Sequence, residues 1–500
     1  MLPERATHHE RATPAARTLA RTLAAAHTRP AAHTRTAAHT LARTLAAISI
    51  VGLLATGCGS PGPTPTLGPT LSPAPTSTPS TTPTAIPSSP AGPTPAPASP
   101  SPAASFDAVA PYRQIEDEVI ALRGLPAKQR LEPTLLDDSQ LRVRIEAQFR
   151  AENPPAEIAA SQATLVAMGL LPAGTSLADL YVNLLGSQVV GYYDPATKQI
   201  YVVARTGRIG AIAKVTFAHE FTHALQDQNF GLKGIQTDAL GQGDRSIAHL
   251  ALIEGDASLL MTQWLTRHLD PAGMAEILAG DPAAQAQLDA APPFLRDALE
   301  FPYLQGVLFV SSIWAQGGWE AVDSAFGRLP DSTEQVLHAD KYAADERPVV
   351  VPLDAAAIAG RLGAGWKATP ADTLGEFQVG SWLRARGVNG AGGGVSGDTA
   401  AAGWGGDRYA LIEGPNGAYA LVLLTTWDTV NDAAEFATAA TEAVRGVPGQ
   451  ARVVKIAPGG AVAPGTAPTT NTGGREVAVL FASNAAILET LAGAALPAHR

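Results

Sequence analysis

Residues 219–228 read HEFTHALQDQ. On a helix, residues four apart share a face, so His219 and His223 would point two imidazoles the same way, with Glu220 beside the first. Neutral imidazole is a strong ligand for Zn²⁺, and a carboxylate in that place can take a proton from a water the ion has made acidic. The spacing therefore reads as the helix of a zinc hydrolase. The plain alternative is a pair of solvent-facing histidines. The surrounding TFAHEFTHAL would bury the turn, however, and buried imidazoles need partners.

A catalytic zinc takes three protein ligands and keeps a fourth position open. The best third ligand is Glu254 in ALIEGDASLL (251–260), a carboxylate set among alanine, leucine and isoleucine. His249 is the rival, but it lies about 140° from Glu254 around a helix of 3.6 residues per turn. Asp227, four residues past His223, is placed to hold a ligand imidazole or to pin a neighbouring loop, or is an ordinary polar residue near the helix end. Asp256 either supports the ligands from behind or faces water. Gly255 and Ala257 flank Glu254 with minimal side chains, as close helix packing near a metal would need.

Outward from this helix the patterns are mostly helical. YRQIEDEVIALRGL (112–125) and DDSQLRVRIEAQFRAE (137–152) repeat apolar residues at helical spacing, with Asp138 or Ser139 as caps. Two short helices follow at 160–171 and 176–186, completing a helical lead-in over 106–188. VVGYYDPATKQIYVVA (189–204) reads as a hairpin around an Asp-Pro turn. Helices resume at 211–230, 244–268 and 301–318, so 189–345 reads as a zinc-protease-like core. Past 346 come LGEFQVGSWL, GGDRYALIEG, YALVLLTTW, DAAEFATAATEAV and EVAVLFAS, a mixed sheet-and-helix region to residue 500. RARGVNGAGGGVSGD (384–398) reads as a flexible glycine-rich excursion, and 451–474 as a loop. The expected class is α+β, predominantly helical, with a small hairpin or sheet packed against the histidine-bearing helix.

The front of the chain is different in kind. Residues 59–104 are nearly all Pro, Thr, Ser, Ala and Gly, which have no apolar surface to bury and favour extended backbone, so 58–105 reads as a spacer. Before it, LAAISIVGLLATG (45–57) ends at Cys58, the one cysteine of 500 residues. An acid-poor, arginine-containing segment, an apolar run and small residues before a cysteine resemble a bacterial lipoprotein signal. That resemblance implies that 1–57 is a leader and that Cys58 carries the lipid. The chain would then sit outside the cytoplasm, anchored to the cell membrane, or be secreted if the signal is of the plain kind. Thirteen apolar residues are too few for the roughly 20 of a membrane-spanning helix.

Net charge is −10, and the first 57 residues hold seven Arg against two Glu. Outside the leader no basic tract remains to bind nucleic acid. No phosphate-binding GxxxxGK[ST] loop appears, and one cysteine rules out an internal disulfide framework. A monomer is expected.

HEFTHALQDQ followed by LIEGDA resembles the gluzincin group of zinc metallopeptidases, and the hairpin at 189–204 is similar to the strand pair that precedes the helix there. STEQVLHADKY (332–342) and GWGGDRY (403–409) extend the resemblance to poorly characterised bacterial secreted or lipoprotein-like proteins. It implies one catalytic zinc on His219, His223 and Glu254, Glu220 as the base, and a peptide or protein substrate lying along an edge strand. An oxyanion-stabilising side chain is also expected. His338 is the first choice, with Tyr303, Arg408 and Tyr409 behind it. The competing reading is a zinc-binding but catalytically inactive surface or scaffold lipoprotein, which would survive loss of Glu220. A transport-type binding lipoprotein would need two-lobed α/β repeats that the sequence lacks.

Overall fold

A computed structural model describes residues 110–203, 209–235, 241–391, 394–456 and 473–495. The expected leader, Cys58, the spacer and His499 lie outside the described residues. The class is α+β and predominantly helical, with one sheet of three strands and another of five.

The lead-in opens with helix α1 (Ala110–Arg123), which buries Tyr112, Ile115 and Val119 along one stripe. Strand β1 (Thr134–Leu136) follows, then α2 (Asp138–Glu152). The cap of α2 is Asp137, one residue earlier than expected. Its side chain accepts from the Gln140 amide while Gln140 reaches back to the Asp137 amide, which satisfies two otherwise orphaned N–H groups. Helices α3 (Pro155–Ala167) and α4 (Leu177–Gln188) complete the segment.

The hairpin forms where the alternation places it, as β2 (Gly191–Asp194) and β3 (Gln199–Val203). Asp194 ties its turn by accepting from the amides of Ala196 and Thr197. β1 pairs in parallel with β3, giving the order β1-β3-β2. A three-residue strand carries too little periodicity to be read in advance. β2 is left as an edge of this sheet.

Helix α5 (Ala211–Phe230) lies against β2 and β3 and carries HEFTH. It is buried on every side from Val215 to Asp227, so it is a core helix and shows no amphipathic stripe. Gly231, at φ 76°, ends it in the left-handed conformation. After the short α6 (Leu232–Ile235) comes α7 (Gly243–His268), the helix of Glu254. α8 (Pro271–Ala279) and α9 (Pro282–Ala290) lead to α10 (Pro293–Gly327), which starts earlier and runs further than the expected 301–318. It breaks at Gly317 and Gly318, whose backbones leave the helical region. α7 and α10 meet backbone to backbone at Gly255 and Gly306, where a Cβ on either would collide with the other helix.

Beyond α11 (Thr333–Leu337), α12 (Ala339–Ala343) and α13 (Ala355–Leu362) lies an antiparallel sheet. Its strands are β4 (Lys367–Ala368), β5 (Trp404–Glu413), β6 (Tyr419–Trp427), β7 (Gln450–Ile456) and β8 (Glu476–Ala482), in the order β4-β5-β6-β8-β7. Leu421, Leu423, Val477, Val479 and Phe481 face α14 (Gly375–Ala385), α15 (Gly397–Ala401) and α16 (Val430–Ala443). Val422, Leu424, Ala478 and Leu480 face α13 and α17 (Ala485–Ala495). Burial on both faces explains the continuous apolar runs in these strands.

Two expectations are corrected here. The supposed loop at 451–474 begins with β7, an edge strand whose half-exposed residues muted its alternation; residues 457–472 lie outside the described residues. The glycine-rich excursion is bounded by structure, since 384–385 end α14, Asn389 bridges to Ser396, and α15 follows at once.

Candidate metal centre

α5 delivers His219 and His223 one turn apart, and α7 brings Glu254 across to them. The two Nε2 atoms are 3.0 Å apart, and Glu254 Oε2 lies 3.2 Å from His219 Nε2 and 3.3 Å from His223 Nε2. A zinc ion with bonds of about 2.0–2.1 Å holds tetrahedral ligand atoms roughly 3.3–3.4 Å apart. The three donor atoms thus already stand near tetrahedral spacing around one point, and two imidazoles with one carboxylate are the donor types zinc takes. The side chains are sequestered, His219, Glu220 and Glu254 at 1% exposure and His223 at 7%.

The electrostatics agree with a cation-seeking site. Burial works against a charged His223, but Glu254 against it overrides that, with Glu220 adding to the effect, and its pKa is pushed up to about 9. Burial likewise works against ionised Glu254, and the two histidines more than offset it, so its carboxyl is held below its ordinary value. The neighbouring carboxylates thus favour positive charge on His223, and the imidazoles favour an ionised Glu254.

Behind the ligands, the Gln226 carbonyl Oε1 lies 2.9 Å from His223 Nδ1. Gln226 Nε2 donates to Ile253 O at 2.9 Å and to Asp256 Oδ2 at 2.8 Å. Asp256 in turn accepts from Arg123 through Nε at 2.8 Å and Nη2 at 3.2 Å. Arg123 also pairs with Asp323 and lies over the Trp319 ring. His219 Nδ1 is buried with no hydrogen-bond partner among the described residues.

Of the remaining sequence candidates, Asp256 stands behind the ligands. Asp227 takes the second of its options and pins the hairpin, accepting from Tyr193 Oη at 2.7 Å, from Lys198 Nζ and from the Leu232 amide. His249 does not join the cluster, because its Nδ1 is held on Ile235 O. Tyr303, on α10, lies with its ring 6.2 Å from that of His219. His338 hydrogen-bonds Glu376 at 2.9 Å.

GWGGDRY and STEQ form a junction. Asp407 accepts from the amides of Leu374 and Gly375 and from Trp404 Nε1. Arg408 donates to Gly241 O, Asp372 accepts from the Gly243 amide, and Asp244 from Thr333. These motifs bind the C-terminal sheet to the start of α7, and so fix the helix that carries Glu254. Sequence reasoning missed Gln226 and Arg123. Gln226 was findable, three residues past His223 on the same face; Arg123, on a helix 133 residues before Asp256, was not.

Residues 362–492 match a family described as a domain of unknown function, DUF8575. The match covers the five-stranded sheet and does not include His219, His223 or Glu254. No curated protein and no solved structure matches the chain.

Proposed function

We propose that this chain is a zinc-dependent peptidase, held outside the cytoplasm by a lipid on Cys58 or secreted. The observation that carries the reading is the convergence of His219, His223 and Glu254 within 3.0–3.3 Å of one another, with Glu220 on the same helix turn. When bound, zinc would acidify a water and polarise the scissile carbonyl. Glu220 accepts a proton from the attacking water and passes it to the departing amine. The substrate backbone lies extended along β2, whose outer edge has no strand partner among the described residues. Tyr303, whose ring lies 6.2 Å from that of His219, joins His338 as a candidate to stabilise the oxyanion.

The inactive-scaffold reading retains one observation, the near-complete burial of the ligands, which suits metal storage equally well. Zinc content of the purified chain, measured beside Glu254→Ala and Glu220→Gln, separates the two. A peptidase holds one zinc and cleaves a mixed peptide library. Glu254→Ala then loses the metal, and Glu220→Gln keeps it but loses cleavage. Zinc without cleavage supports the scaffold, and no zinc in the parent ends both readings.

A further inference from the structure

We infer that Arg123, Asp256 and Gln226 form a positioning relay that sets which nitrogen of His223 faces the metal, an inference that rests on the zinc reading above. Its logic is one of donors and acceptors. Gln226 Nε2 spends its two N–H groups on Ile253 O and Asp256 Oδ2. Rotating the amide by half a turn would set its oxygen against both of those acceptors. Gln226 Oε1 is therefore the atom that meets His223 Nδ1, 2.9 Å away. An oxygen there accepts, so neutral His223 carries its proton on Nδ1 and leaves the Nε2 lone pair for a cation.

The orientation of Gln226 depends on Asp256 being an anion pointing at it, and that depends on Arg123. Asp256 is fully buried, and so is the guanidinium that grips it through two nitrogens. A buried carboxylate is tolerated when it is paired and fully hydrogen-bonded. Arg123 is the last residue of α1, the first helix described. The segment leading in from the expected membrane tether thus reaches the metal ligand through three side chains. His219, whose Nδ1 has no partner among the described residues, is not held in this way. The relay gives the site one ligand of fixed tautomer and one that adapts.

The test uses the full chain and the near-isosteric Gln226→Met, which removes the acceptor but leaves the Arg123–Asp256 pair in place. Asp256→Asn is the second variant in case the first does not fold. Zinc affinity is read by competition with a chromophoric chelator, and the His223 tautomer from ¹⁵N shifts of the histidine-labelled, zinc-free protein held above pH 9, where the ring is neutral. The relay predicts that Gln226→Met binds zinc about 10- to 100-fold more weakly and shows a tautomer mixture at His223 where the parent shows the Nδ1–H form. Asp256→Asn should move both readouts in the same direction. A purely structural role would lower the unfolding midpoint and leave affinity and tautomer as in the parent, which overturns the relay while the zinc reading stands. A parent that binds no zinc overturns the zinc reading, and the relay falls with it.

Discussion

Adding one methyl group at Gly255 should disable the proposed metal centre without altering any of its three proposed ligands. A Cβ at this position would fall well inside 3.0 Å of the Gly306 carbonyl carbon and oxygen and 2.8 Å from Val310 Cγ2. The obstacle is mostly backbone, so no side chain can swing away to make room. Non-bonded heavy atoms rest at about 3.5 Å or more, so α7 and α10 must part by on the order of 1 Å. Overpacking of this kind costs about 1–3 kcal/mol. Glu254 is the adjacent residue, and metal bonds tolerate only about 0.2 Å. A helix shift several times larger pulls Oε2 out of the set it forms with the two Nε2 atoms. Gly255→Ala should therefore lower the urea midpoint of the zinc-free protein and weaken zinc binding at least about tenfold, the cost of losing well-held ligand geometry. Urea unfolding followed by circular dichroism and chelator competition measure the two effects. Zinc affinity equal to the parent's, with stability changed by less than about 0.5 kcal/mol as for an ordinary surface substitution, would refute the argument that this backbone contact sets the ligand spacing.

Other substitutions probe separate parts of the molecule. Arg123→Met strands Asp256 and leaves Asp323 without its partner, and should destabilise by about 3–5 kcal/mol in urea unfolding. Tyr193→Phe removes the hydroxyl bound to Asp227 and should cost about 0.5–1.5 kcal/mol, with faster amide exchange confined to the β2–β3 hairpin. Burial pushes the Asp407 carboxyl up to about 6 from 3.8. The folded protein thus keeps a proton that the unfolded chain releases between those values, and the contribution of Asp407 to stability is lost as pH rises from about 4 to 6. Stability of the parent relative to Asp407→Asn should accordingly fall across that window, by an amount on the order of 2–3 kcal/mol, and an equal pH slope in both proteins would refute it. Gly360, inside α13 with nothing within 4 Å of an added Cβ, should become more stable as alanine by about 0.5–1 kcal/mol, read as a raised melting temperature.

Local spacing carried much of this protein. The 3.6-residue period places His219 and His223 on one face and marks Glu220 as their neighbour whatever the helix packs against. The alternation around Asp194–Pro195 likewise specifies a hairpin, because strand faces repeat every second residue. Glu254 was legible for a different reason, since an isolated carboxylate in an apolar run must find a partner. Tertiary structure decided what depends on residues distant in the chain. It chose Glu254 over His249 by holding His249 on Ile235 O, gave Asp227 to the hairpin and Asp256 to Arg123, and set Tyr303 beside His219. β1 and β7 became strands only through partners elsewhere, because three residues, or seven on a half-exposed edge, carry too weak a period of their own. Spacing along a helix determines which side chains share a face. Which of them meet across 30 or 130 residues is determined by how helices pack, here by the close approach of α7 and α10 at two glycines and by the clamp that GWGGDRY places on the start of α7.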